Sequence, residues 1–162
     1  MTVARTRRYA IDTNLFIEGF RTEENRDALE AFLRVCAPFR HLPAIVAQEL
    51  LPGVRTPAES RALKRHLIER FARRDRVRAP SATGWVESGR VLQALVREEG
   101  LELPGLSKAF DDDVLLAVTC REHGVALVTE NVRDFERIRN VFDFDFDVVP
   151  ASPQLQWCRA SA

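Results

Sequence analysis

Asp12, Glu49, the run Asp111-Asp112-Asp113 and Asp134 lie far apart along the chain, yet each is expected where a strand or loop hands over to a helix. A fold core needs no acids at such places, and a carboxylate left unpaired among apolar side chains is costly. Together they point to a divalent-metal site. Carboxylate oxygens are hard ligands that suit Mg²⁺ or Mn²⁺. An ion so held lowers the pKa of a bound water and neutralises charge on a phosphoryl group. Without an ion the same acids repel one another, and one or more holds a proton at a raised pKa. Histidine and thiol chemistry are not indicated: His41, His66 and His123 follow no ligand or base pattern, and no Ser-His-Asp or Cys-His set can be named.

The elements that must position these acids read as alternating strands and helices. A strand over about 8–12 ends at Asp12, with Thr13 and Asn14 able to cap a helical turn through Leu15, Phe16 and Ile17. Residues 23–36 place Ala28, Leu29, Phe32, Leu33 and Cys36 on one helical stripe, expected to face the core. A second strand, Arg40 to Pro43, runs into a helix that carries Glu49 and is stopped by Pro52 and Gly53. Thr56-Pro57-Ala58-Glu59 combines a capping hydroxyl, a first-turn proline and an acid at the third position. The helix it opens is expected to reach Arg74, with Leu63, Leu67, Ile68 and Phe71 inward.

Another helix, from about Thr83 to Glu99, stacks Trp85, Val86, Leu92, Leu95 and Val96 and stops at Gly100. Residues 101–110 form the loop that delivers the triple Asp to a helix through Val114 to Cys120, which Gly124 ends. Val125 to Thr129 reads as a buried parallel strand, and Asn131 with Asp134 begins another helical turn. Phe142 to Val149 alternates apolar and acidic residues, the pattern of an edge strand with one wet face. The alternation predicts an α/β fold: a three-layer α/β/α sandwich on a mostly parallel, roughly five-stranded sheet, in which the acids meet beyond the strands' carboxyl ends. One domain is expected over residues 1–162, with its core at about 8–150.

Composition narrows the classes. The chain has 162 residues, with 24 basic and 24 acidic side chains and no formal net charge, so bulk charge does not declare a nucleic-acid partner. Its distribution is uneven. Arg5, Arg7 and Arg8 crowd the start and Arg70, Arg73, Arg74, Arg76 and Arg78 form a second cluster, either a solvated helix face or a contact for a polyanion. Cys36, Cys120 and Cys158 lack metal-ligand spacing and read as free thiols of a reducing compartment. No segment approaches the roughly 20 apolar residues of a membrane span, and a cytoplasmic protein is expected.

Four segments carry a resemblance. Ile11-Asp12-Thr13-Asn14, Ala47-Gln48-Glu49-Leu50-Leu51-Pro52-Gly53, Asp113-Val114-Leu115-Leu116-Ala117-Val118-Thr119 and Leu127-Val128-Thr129-Glu130-Asn131-Val132-Arg133-Asp134-Phe135 resemble, in order and spacing, the motifs of PIN-domain ribonucleases. The VapC-type toxins of toxin–antitoxin pairs are the nearest match. The resemblance implies a PIN-like fold and metal-dependent cleavage of RNA, with Mg²⁺ or Mn²⁺ held by Asp12, Glu49 and Asp113. At the fourth acid position this sequence has Asn131, which leaves the fourth ligand open between Asn131 and Asp134. Thr13 matches a small hydroxyl residue that holds a metal-bound water or a phosphate oxygen. The resemblance also implies a cognate antitoxin, a homodimer and an RNA substrate, for which Arg70, Arg73 and Arg74 are backbone-contact candidates.

Each acid also has a plainer role. Asp111 and Asp112 fit helix capping and Asp113 a ligand, while Asn131 suits capping and coordination equally. Two other functions compete. A phosphoryl-accepting receiver or phosphatase would want a lysine late in the chain at a strand end, but the only lysines are Lys64 and Lys108. A catalytically degenerate PIN-like RNA-binding or scaffold protein is the alternative that Asn131 keeps open.

Overall fold

The computed structural model describes residues 7–35 and 37–148. Arg5, Cys36, Val149 and Cys158 lie outside them. Five strands, β1 (Tyr9–Ile11), β2 (Arg40–Pro43), β3 (Val77–Arg78), β4 (Ala126–Thr129) and β5 (Phe146–Val148), form one sheet in the order β3-β2-β1-β4-β5. All four pairings are parallel. The order runs outward in one direction from β1 through β3 and in the other through β4 and β5, so the switch point lies between β1 and β4. That is where open α/β sheets leave a crevice at their carboxyl ends.

Helices cover the sheet as a three-layer α/β/α sandwich: α1 (Thr13–Arg21), α2 (Glu23–Val35), α3 (Ala44–Leu50), α4 (Pro57–Leu63), α5 (Glu69–Ala72), α6 (Ala82–Glu99), α7 (Lys108–His123) and α8 (Val132–Val141). Local chemistry sets most of their ends. Thr56 and Glu59 close a reciprocal capping box at the start of α4. Gly100 and Gly124 end α6 and α7 at φ of 65° and 59°, a conformation that a side chain disfavours. Gly19 has a different use, because a Cβ there would drive into Leu29, so its absence lets α1 and α2 meet closely.

β4 is buried along its whole length, as expected of a central parallel strand. The Phe142–Phe146 alternation buries Phe142, Phe144 and Phe146 against Phe135 while Asp143 and Asp145 face water, although only its last part joins the sheet as the edge strand β5. Cys120 is a buried free thiol, its pKa pushed well up by burial.

The structure corrects several expectations. The triple Asp is not delivered by a loop: Ser107 caps α7, which begins at Lys108, so Asp111–Asp113 sit in the helix's own first turns. Glu49 likewise lies in the last turn of α3 rather than where a strand or loop hands over. On α6 the buried stripe is Gly84, Ser88, Val91 and Leu95, and Trp85, Val86 and Val96 turn outward. The helix after Thr56 is interrupted by a π segment, Lys64–Ile68, and ends at Ala72. Its stripe is only partly core. Leu63 and Leu67, with Leu33 of α2, line an open groove of about 1100 Å³.

Candidate active site

The acids gather at the carboxyl ends of the two strands flanking the switch point. Asp12 follows β1 and caps α1: its Oδ1 accepts the Thr13 N–H at 2.7 Å, and its own N–H reaches the Val128 carbonyl of β4 at 2.9 Å. Its Oδ2 accepts the Thr129 hydroxyl at 2.6 Å. Asp12 is nonetheless only 5% exposed, and its pKa is raised to about 6. Burial outweighs the two hydrogen bonds that favour the anion, and the charges of Glu49 and Glu130 add to the rise.

α3 brings Glu49 to the same corner, where its Oε2 accepts a short hydrogen bond from the Thr13 hydroxyl. From the other side α7 brings Asp113. The three neighbouring aspartates part here: Asp111 is exposed, Asp112 pairs with Lys108 one turn earlier, and Asp113 turns towards the other acids. Its pKa is raised to about 8 by burial first, then by the charges of Asp12, Asp134, Glu49 and Asp112.

Asn131 joins the two halves. Its backbone N–H donates to Thr129 Oγ1 at 2.9 Å, and its side-chain amide donates to Asp113 Oδ2 and Asp134 Oδ2, each at 3.1 Å. Its Oδ1 accepts the Asp134 N–H as the cap of α8. The two roles open for Asn131 are thus divided between its atoms: the oxygen caps the helix and the nitrogen holds two carboxylates. A continuous network results, Glu49–Thr13–Asp12–Thr129–Asn131 with Asp113 and Asp134 on Asn131.

Thr129, wholly buried and central to this network, escapes a reading of the sequence that treats it as the end of a strand. The available signal is a hydroxyl at the last buried position of β4, next to the strand that ends in Asp12. Asn14 and Glu130 are missed in the same way. Asn14 Oδ1 and Glu130 Oε2 are buried acceptors with no hydrogen-bond donor among the described residues. The carboxyl of Glu130 is pushed up by burial and by Glu18, against the pull of Arg21.

The donor set bears on what ion could be held. No group of three or more His, Cys, Asp or Glu side chains among the described residues forms a ready cage for a metal. The carboxylates instead crowd through hydroxyl and amide bridges, and two open acceptors stand beside them. Oxygen donors of this kind fit a hard divalent ion, which would keep several waters and be held by only one or two of these carboxylates.

The family model of the PIN domain matches residues 9–141, which span the strands, the acids and α8. The chain belongs to the PIN-domain family. Solved structures share the fold of this PIN domain. VapBC2 from Rickettsia felis, bound to a DNA fragment from its promoter, is 21% identical with a TM-score of 0.58, over 88% of this chain and 98% of that one. FitAcB from Neisseria gonorrhoeae is 17% identical with a TM-score of 0.62, over 88% and 97%. VapBC from Salmonella typhimurium, bound to DNA, is 21% identical with a TM-score of 0.59, over 88% and 98%. No curated protein matches the chain.

Of the arginines expected to meet RNA, Arg70 and Arg74 face a common cavity, whereas Arg73 folds back onto the Glu69 carbonyl. No helix among the described residues is long and apolar enough to cross a membrane.

Proposed function

We propose that this PIN domain is a metal-dependent endoribonuclease and acts as the toxin of a toxin–antitoxin pair. One observation carries the reading: at the switch point of the sheet Asp12, Glu49, Asp113 and Asp134 are linked through Thr13, Thr129 and Asn131, a concentration of negative charge that a bound cation would relieve. Asp12, Glu49, Asp113 and Asp134 would hold Mg²⁺ or Mn²⁺, with Thr13 and Asn131 supporting them. When bound, such an ion supplies a water of lowered pKa and neutralises charge on the phosphoryl group.

The chain's own residues supply the rest. Thr129 and the Thr13 N–H lock the orientation of Asp12, and the Asn131 amide spaces Asp113 from Asp134. Asp113 holds a proton when no cation is present and gives it up when one binds, so binding releases protons and strengthens as pH rises.

The motifs of VapC type, with fold neighbours solved as VapBC and FitAcB complexes, support an antitoxin partner. The groove between α2 and α4 offers such a partner an apolar surface, and the outward Trp85, Val86 and Val96 of α6 offer one to a second copy in a homodimer. Expression of the chain alone in a bacterial host, beside Asp113→Asn, followed by sequencing of RNA ends, tests the activity. New ends are expected with the parent and not with the variant, and identical ends in both would sink the nuclease. A degenerate RNA-binding PIN domain is the second reading, favoured by Asn131 where the motif expects an acid. Titration calorimetry with Mn²⁺ separates them: the nuclease binds the ion and Asp12→Asn loses it, whereas the degenerate domain binds none.

A further inference from the structure

At the amino end of the sheet, opposite the carboxylates, a small cavity of about 70 Å³ adjoins the apolar groove. Arg40, His66, Arg70, Arg74 and Arg76 line it with Leu33, Leu67 and Phe71, and no acidic side chain is among its walls. The fold builds this convergence from separate pieces. Arg40 opens β2 and its guanidinium lies over the Phe71 ring at 5.5 Å, while Arg76 precedes β3 and its carbonyl accepts the Leu42 N–H. The π segment brings His66 round, and the helical turn after it adds Arg70. His41, also on β2, has its pKa lowered to about 4, by burial first and then by Arg78, Arg8, Arg76 and His123, which marks the whole strand end as cation-rich.

We infer that this cavity is a phosphate-binding site that anchors the RNA backbone away from the point of cleavage. The inference rests on the nuclease reading and adds how the substrate is held. A protein with no net charge has no general attraction for a polyanion, and the acid corner repels one, so the grip on RNA must come from a local concentration of cations. Arg70 and Arg74, exposed and with His66 beside them, can bond several oxygens of one phosphate in the planar fork geometry of guanidinium. Arg74 and Arg76 line only this cavity and not the apolar groove, so the charge extends beyond the surface offered to a protein partner. Strand β2 separates the two ends of the sheet by roughly 13 Å at 3.3 Å per residue, which places the anchored phosphate several nucleotides from the one at the acids.

The test measures binding of a fluorescein-labelled single-stranded RNA by anisotropy across a salt series, in an Asp113→Asn background that prevents turnover. Arg70→Gln/Arg74→Gln should lower the slope of log K against log salt by up to about 0.7, the value for one phosphate contact on a single strand. The charge-matched pair Arg61→Gln/Arg65→Gln, on exposed positions outside the cavity, should leave it near the parent value. Inorganic phosphate should raise Tm in the Asp113→Asn parent and the control pair, and not in the cavity pair. Equal slopes in both double variants overturn the site. So does a cavity pair that binds RNA normally but loses a glutamate-rich peptide, which would mark the cavity as a protein contact. If RNA binding follows the cavity but the parent chain cuts nothing with Mg²⁺ or Mn²⁺, the anchor stands and the nuclease falls; cleavage with unchanged slopes gives the reverse.

Discussion

The two ends of the sheet gather charge of opposite sign by different means. At the carboxyl end Asp12 is buried, Glu49, Asp113 and Asp134 are half-buried, and hydrogen bonds through Thr13, Thr129 and Asn131 join the four. At the amino end the arginines are long, partly exposed and placed by packing, as Arg40 is over Phe71. Water and salt screen the second group more than the first, because screening weakens as charges are withdrawn from solvent. A hydrogen-bonded, part-buried cluster suits chemistry at one atom, while a more exposed cationic one suits holding a chain. Substitutions at the two ends should therefore differ in size, in salt dependence and in what they disturb.

The largest effect is expected at Asp113. Asp113→Asn should lower RNA cleavage by more than about 100-fold, the upper range for losing a residue that only orients a ligand. The same change should raise the stability of the metal-free protein near neutral pH, because it removes a carboxyl that must take up a proton to fold among Asp12, Glu49 and Asp134. A cleavage assay and a thermal melt on one preparation check both, and loss of activity together with loss of stability would mean damage to the fold instead.

The pH dependence sharpens the contrast. Asp113 has a folded pKa of about 8 and Asp12 of about 6, both above the ordinary value of 3.8. Between those limits the folded state binds more protons than the unfolded one, so the stability slope with pH is negative. The metal-free protein should lose stability as pH rises from about 4 through 8, with Asp12 contributing up to about 6 and Asp113 across the whole window. Millimolar Mn²⁺ should reverse the trend, raising Tm more at pH 8 than at pH 5. Denaturation at the two pH values, with and without the ion, measures this, and a Tm increase independent of pH would place the ion elsewhere.

Thr129→Val tests the wiring. It leaves Asp12 Oδ2 and the Asn131 N–H without their shared hydroxyl, at a cost of about 1–3 kcal/mol for unsatisfied buried groups, and should reduce cleavage by roughly 10–100-fold. Thr129→Ser keeps the hydroxyl and should restore most of the activity. Equal losses in both would assign the effect to packing rather than to the hydrogen bonds.

What could be read without the fold follows the same division. Arg40 to Pro43 and the helix behind it, the Thr56 cap and the stops at Gly100 and Gly124 were legible because turn and cap chemistry acts over a few residues. The motifs pointed to Asp12, Glu49, Asp113 and Asp134, and hydrogen bonds through Thr13, Thr129 and Asn131 link those four, although no three acids among the described residues form a ready metal cage. Thr129, Asn14 and Glu130 were invisible, since a strand-end hydroxyl acquires its part only when β4 lies beside β1. Trp85, Val86 and Val96 were expected inward because their apolar character suggested a stripe. The phase of α6 was decided instead by Gly84 and Ser88, small residues that let it approach its neighbours. The cationic cavity was hidden for a third reason: Arg40 and His66 join Arg70 and Arg74 only through the turn of a π segment that no local signal announced.

The smallest expected effect lies at the amino end and completes the contrast. In Arg74→Gln one of several like charges around the cavity is removed from an exposed helix end, where nothing buried loses a partner. Relief of repulsion should raise stability by no more than about 0.5 kcal/mol at low salt. Because the Debye length falls from about 30 Å at 0.01 M to about 8 Å at 0.15 M, the gain should vanish at the higher ionic strength. The stabilisation of Asp113→Asn should keep most of its size there, since it comes first from burial of the carboxyl, and a part-buried group is screened less than an exposed one. Urea denaturation of both variants at the two ionic strengths decides the matter. A gain at Asp113 that vanishes with salt, as that at Arg74 should, would mean that burial does not govern it, and the distinction between a part-buried acid corner and an exposed basic one would fail.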